Sequence, residues 1–144
     1  VTHEDAGHYA AKHSKDIKAN PKATEAVKLK AINKKITCSA AHKIATDLKV
    51  PPKEVGTAID LLEYRITKCQ MGLYGYGPRK KIVKPAETVS PDLEKAIHGA
   101  KENNRLSCFT CWQIAERLHL SKMDVSAACE TLGIKLHTCQ LGSF

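Results

Sequence analysis

The chain has 144 residues, a formal net charge of +8, 42% apolar residues and six cysteines. No apolar run approaches the roughly 20 residues of a membrane-spanning helix, and the opening VTHEDAGHYAAKH lacks the apolar middle of a secretory signal. A helical membrane span is therefore excluded and a cytoplasmic location is expected.

Slid against itself by seventy positions, the sequence matches itself without a gap. Pro21 falls on Pro91, Ala26 on Ala96, Asn33 on Asn103, Cys38 on Cys108, Ile44 on Ile114, Leu48 on Leu118, Val55 on Val125, Leu62 on Leu132, Cys69 on Cys139, Gln70 on Gln140 and Gly72 on Gly142. The matches are mostly apolar or small, so the repeated content is a core pattern and the two copies share a fold. Two copies are too few for an open repeat array. A unit of about 60 residues buries only about 60% of its unfolded surface, so the units are expected to pack on each other or on the N-terminal segment, and a face-to-face arrangement would mimic a symmetric dimer within one chain.

In chain order, residues 1–20 form a Lys-rich arm, 21–74 the first unit, 75–90 a basic linker and 91–144 the second unit. The first 35 residues hold eight Lys against four acids, and RKKIVK, Arg79 to Lys84, holds four bases. Positive charge therefore belongs to the arm and linker, which attract polyanions, although a solvated Lys-rich face also serves solubility. His3, His8 and His13 are five apart, which turns each about 140 degrees from the last on a helix. They do not line one face, and the arm is expected to dock on a unit or stay free.

Asn20-Pro21 and Ser90-Pro91 each pair a cap residue with proline at the first helical position. The first helix of each unit should end near Asn33 or Asn103, followed by a short extended piece, KITC or RLSC. Ala41, Ile44, Ala45 and Leu48, matched by Cys111, Ile114, Ala115 and Leu118, recur at helical spacing. A tight turn, VPPKEV or LSKMDV, leads into a third helix. The tails YRITKCQMGLY and IKLHTCQLGSF alternate apolar positions with glycine, as a small hairpin does.

This order, carried by IATDLKVPPKEVGTAIDLLEYRI and its counterpart, resembles a winged helix-turn-helix at the superfamily level. The expected class is mainly α: two duplicated winged helix-turn-helix-like units with short β-hairpins. The resemblance implies nucleic-acid binding through the third helix. The outward residues of that helix are Lys53, Glu54, Gly56, Thr57, Asp60, Leu61 and Glu63 in one unit. In the other they are Met123, Asp124, Ser126, Ala127, Glu130 and Thr131. Neither set offers the Arg, Asn or Gln that reads bases in a bidentate way, and Glu54 and Asp124 serve as acids at a helix N-terminus.

The expected function is a small nucleic-acid-binding or regulatory protein with electrostatic contacts from Lys34, Lys35, Arg79, Lys80, Lys81 and Lys84. A protein-interaction module on a degenerate scaffold is the alternative, and it requires an exposed apolar patch.

The cysteines raise a third reading, a metal or redox sensor. Cys38 and Cys69 recur as Cys108 and Cys139, and are read as buried small residues, a disulfide or half a metal site. Cys111 and Cys129 replace Ala41 and Ile59, as core substitutions do. Cys108-Phe-Thr-Cys111 is half a zinc motif, which Cys139 with Cys129 or His137 would have to complete for zinc or an iron-sulfur cluster. No cofactor is required by the pattern. No phosphate-cradling glycine loop or catalytic set can be singled out, and an enzyme is not expected.

Overall fold

The computed structural model describes Ala10, His13, residues 18–76 and residues 81–143. Six helices and four short strands follow one order twice. The first pass is α1 (Pro21–Lys30), β1 (Lys35–Thr37), α2 (Cys38–Leu48), α3 (Pro52–Leu61) and β2 (Arg65–Thr67). The second is α4 (Pro91–Ala100), β3 (Arg105–Ser107), α5 (Cys108–Leu118), α6 (Lys122–Leu132) and β4 (Lys135–His137). The fold is mainly helical, with two small sheets.

Local chemistry sets these boundaries. Asn20 Oδ1 accepts from the backbone N–H of Lys22 at 2.9 Å and of Ala23 at 3.3 Å, and Ser90 Oγ accepts from Leu93 at 3.3 Å. Both satisfy amides that the first helical turn leaves without partners. Asn33 and Lys34, like Asn103 and Asn104, take left-handed φ values and fold the chain sharply into β1 and β3. Thr37 and Ser107 then close their strands and cap α2 and α5 through Ala40 and Thr110, at 3.1 Å each. Ser121 and Asp124 form a reciprocal capping box at α6.

The strands do not form the expected hairpins. β1 pairs with β2 in parallel, Ile36 opposite Ile66, and β3 pairs with β4 in parallel, Leu106 opposite Leu136. The two intervening helices return the chain to the same edge in the same direction, which a parallel pair requires. Lys68 and Thr138, both at positive φ, end β2 and β4 at once. Each tail then closes on itself, Gly72 N–H donating to the Cys69 carbonyl and Gly142 N–H to that of Cys139, at 2.9 Å each.

The tails are exchanged between the units. The core of the first unit, built on Val27, Ile36, Ile44, Val55, Ile59 and Ile66, is completed by Cys139 and Leu141 from the end of the chain. The core of the second, built on Leu93, Ile97, Leu106, Ile114, Val125 and Ile134, is completed by Cys69 and Met71 from the first unit's tail. Tyr74 packs against both cores, and its hydroxyl donates to Ser143 Oγ at 2.8 Å, tying the tails together. Between the units, His42 of α2 meets Trp112, its repeat counterpart on α5, with ring centroids 4.2 Å apart. Equivalent positions of the two units thus meet at this point, as on the axis of a two-fold dimer.

Gly99 lies inside α4, and a Cβ added there meets nothing within 4 Å. Gly99→Ala is expected to raise stability by about 0.5–1 kcal/mol, because it restricts the unfolded chain without a clash; urea unfolding checks this.

Candidate functional site

The third helix of each unit is partly covered, while Lys53 and Glu54 of α3 and Asp124 and Thr131 of α6 stay exposed. On α3, Gly56 lies beneath the backbone of Leu141 and Asp60 is almost fully buried. His13 Nε2 meets Asp60 Oδ2 at 2.8 Å, and the Ala10 N–H donates to Glu63 Oε1 at 2.8 Å, so these arm residues rest on the end of α3. On α6, Ser126 is fully buried. The Ala86 N–H donates to the Ala127 carbonyl at 3.1 Å, and Thr131 Oγ1 donates to the Ala86 carbonyl at 2.7 Å.

The six basic residues singled out in the sequence fare differently. Lys34 and Lys35 are exposed at the turn into β1, and Lys84 is exposed in the linker. Lys81 forms an ion pair with Glu130 of α6, so its charge is already partnered. Arg79 and Lys80 lie outside the described residues.

The sheets bring in partners that charge runs did not reveal. Lys35 stands in register with Arg65, and Arg105 with Lys135; all four are exposed. The repeat preserves both positions as bases, Lys35 with Arg105 and Arg65 with Lys135. Like charges directly opposite one another on paired strands are destabilising, and ion pairs among the described residues involve none of the four. Each unit thus carries a basic edge, extended in the first by Lys34, whose carbonyl accepts from the Arg65 N–H at 2.8 Å, and flanked in the second by Glu102, which bridges to Arg105. The signal was present in the repeat itself, as bases matched at exposed positions where most matches are apolar.

An open groove of about 670 Å³ runs between the first unit's tail and the α5–α6 turn, lined in part by Lys68, Gln70, Tyr76, Trp112 and Lys122. Lys122 Nζ sits 4.3 Å from the Trp112 ring centroid, so one aromatic face is already occupied. Burial lowers the pKa of His42 to about 4, and the nearby Lys122 adds to the effect. The folded protein therefore holds this imidazole neutral while the unfolded chain titrates near the ordinary 6.5. Stability from this site is complete above pH 6.5 and is lost as the pH falls toward 4. Thermal unfolding across that interval should show a decline that His42→Phe, which keeps an aromatic ring against Trp112, reduces.

All six cysteines are buried free thiols. The set Cys108, Cys111, Cys129 and Cys139 is split by the fold. Cys111 and Cys129 contact each other inside the second unit, and the hydrogen bond between them raises the Cys111 pKa. Cys139 sits instead in the first unit's core. Among the described residues, no group of three or more His, Cys, Asp or Glu is placed to hold a metal ion. No helix among them is long and apolar enough to cross a membrane.

Comparison with known protein families, curated proteins and solved structures finds no match to this chain.

Proposed function

We propose that the chain is a small nucleic-acid-binding protein on a helix-turn-helix-like scaffold, and that it grips phosphates through its two basic edges rather than reading bases with its third helices. The observation that carries this reading is the duplicated register pair, Lys35 with Arg65 and Arg105 with Lys135. A fold gains nothing from setting exposed like charges opposite each other; a phosphate backbone gains two contacts at each edge. Lys34 and Lys84 extend the surface, whereas Lys81 is held by Glu130. The absence of Arg, Asn or Gln from the outward faces of α3 and α6, and the burial of parts of those faces, favour binding with little sequence preference.

The test is affinity for random-sequence duplex and single strands across a salt series. For duplex, the log–log salt slope scales with the number of neutralised phosphates at about −0.9 per contact. Changing Lys35, Arg65, Arg105 and Lys135 together to alanine should flatten that slope by about 3 to 4, while Lys81→Ala leaves it nearly unchanged. Equal slopes for the wild type and the fourfold variant would remove the assignment.

A second reading has its own observation. Leu29 near the end of α1 and Ile32 just beyond it are 80% and 75% exposed, and neither is apolar in the repeat, where Gly99 and Glu102 replace them. This is the start of an apolar patch of the kind a protein-interaction module presents. Leu29→Glu with Ile32→Lys would weaken binding to a protein partner without reducing the salt-dependent binding described above.

A further inference from the structure

We propose that Cys38, Cys69, Cys108 and Cys139 together form one tetrathiolate site for a thiophilic metal centre at the junction of the two units. These four are the cysteines that the repeat duplicates, Cys38 with Cys108 and Cys69 with Cys139. Cys38 and Cys108 begin α2 and α5, directly after the strands. Cys69 and Cys139 follow the strands paired with those, β2 and β4, and are carried by the exchanged tails into the opposite cores. Tail exchange therefore places Cys38 with Cys139 in the first core and Cys69 with Cys108 in the second, and Tyr74, which packs against both cores, links the two pairs.

Three observations beyond burial separate this set from ordinary core cysteines. A side-chain amide faces the sulfur of each helix-start cysteine: Gln70 Nε2 lies 3.9 Å from Cys38 Sγ, and Gln140 Nε2 lies 3.6 Å from Cys108 Sγ. Both glutamines are themselves repeat matches, and N–H donors to sulfur are the second layer that orients and tunes thiolate ligands. The Tyr74 hydroxyl adds a contact to Cys139 Sγ at 3.9 Å. The four sulfurs also lie close enough to feel one another's charge, as Cys111 and Cys108 do. Burial raises the Cys38 pKa to about 12, with Cys69, Cys139 and Cys108 each contributing. Cys108 is raised to about 11, again mainly by burial, with contributions from Cys139 and Cys69. Cys111 and Cys129 lack such amide contacts and fill positions held by Ala41 and Ile59, so they stand outside the set.

Ligation requires each thiol to give its proton to solvent as its sulfur binds the metal, with no electron transferred in that step. A single zinc ion draws four sulfurs to about 2.3 Å from one point. Among the described residues no such group is already placed to hold a metal ion, so binding of either a zinc ion or an iron-sulfur cluster requires these side chains to move. Both share the tetrathiolate chemistry, and the experiment separates them.

The experiment uses the full chain, expressed with iron and zinc available and purified without oxygen. Iron, acid-labile sulfide and zinc are assayed, and X-ray absorption is recorded at the edge of the metal found. Either iron with sulfide or zinc, near one centre per chain with a sulfur-only protein shell, is the expected result. Changing Cys69 and Cys139 to serine should abolish the centre. Changing Cys111 to alanine and Cys129 to isoleucine, which writes the first unit's residues into the second, should leave it intact. Because the serine variant may fail to fold, the wild-type shell decides independently. Nitrogen or oxygen protein ligands, substoichiometric metal of every kind, or loss of the centre in the alanine-isoleucine variant each overturns the site.

Discussion

Gly56→Val is expected to lower stability by about 3 kcal/mol or more, at the upper end of what overpacking a core costs. A Cβ at this position of α3 would lie 1.7 Å from the carbonyl oxygen of Leu141 and 2.6 Å from its carbonyl carbon. The obstacle is backbone, which cannot rotate aside as the tip of a long side chain does. The last turn of the chain must lift off α3, and Leu141, now fully buried, loses its place in the first core. Urea unfolding gives the size of the loss, and Gly99→Ala in the same assay shows that the effect belongs to the crossing rather than to helical glycine. A change below about 1 kcal/mol at Gly56, within the range of ordinary surface substitutions and small effects, would mean that the tail does not lie against α3.

Truncating the buried tail residues should damage the opposite unit. Leu141→Ala and Met71→Ala each remove a large, fully buried side chain, for which about 2–5 kcal/mol is the usual cost. The location of the damage is the sharper readout. Hydrogen exchange should show protection falling first in α1, α2 and α3 for Leu141→Ala, although that residue belongs to the second repeat. For Met71→Ala it should fall first in α4, α5 and α6. Each variant loosening its own unit first would show that the tails pack at home.

Much of the helical architecture was legible because its determinants are local. Asn20-Pro21 and Ser90-Pro91 announce helix starts through capping chemistry, and the spacing of Ile44, Ala45 and Leu48 marks a buried helical face. Where the tails go was not legible. Cys69-Gln70 and Cys139-Gln140 are nearly the same residues followed by a large apolar side chain, so either tail satisfies either core and only packing decides. The parallel strand pairing was hidden for a similar reason. Alternation around Ile66 and Leu136 shows that a strand is present but not which partner it takes, and the left-handed turn at Lys68 or Thr138 depends on the whole chain.

The candidate site divides along the same line. Lys34, Lys35 and Lys84 were identifiable from charge alone, but charge does not show that Glu130 occupies Lys81, or that Arg65 stands beside Lys35 in the sheet. Duplication sorts the cysteines into a repeated pair and two substitutions, and all six are buried. That Cys139 joins Cys38 in one core and Cys69 joins Cys108 in the other depends on the exchange.

Reciprocal completion of the cores also governs how the protein responds to dilution. Neither half holds all the apolar side chains its own interior needs, so separate halves would associate with a bimolecular equilibrium, folding only as fast and as fully as their concentration allowed. The connection through residues 75–90 makes that association intramolecular, replacing bulk concentration by the effective concentration of a short tether. Its residues also hold the assembly directly: Val83 is buried, and the N–H groups of Ile82 and Val83 donate to the Gly72 carbonyl at 2.9 and 3.1 Å. One chain thereby keeps the architecture of a tail-swapped pair at any abundance in the cell, with its two basic edges in a fixed one-to-one ratio.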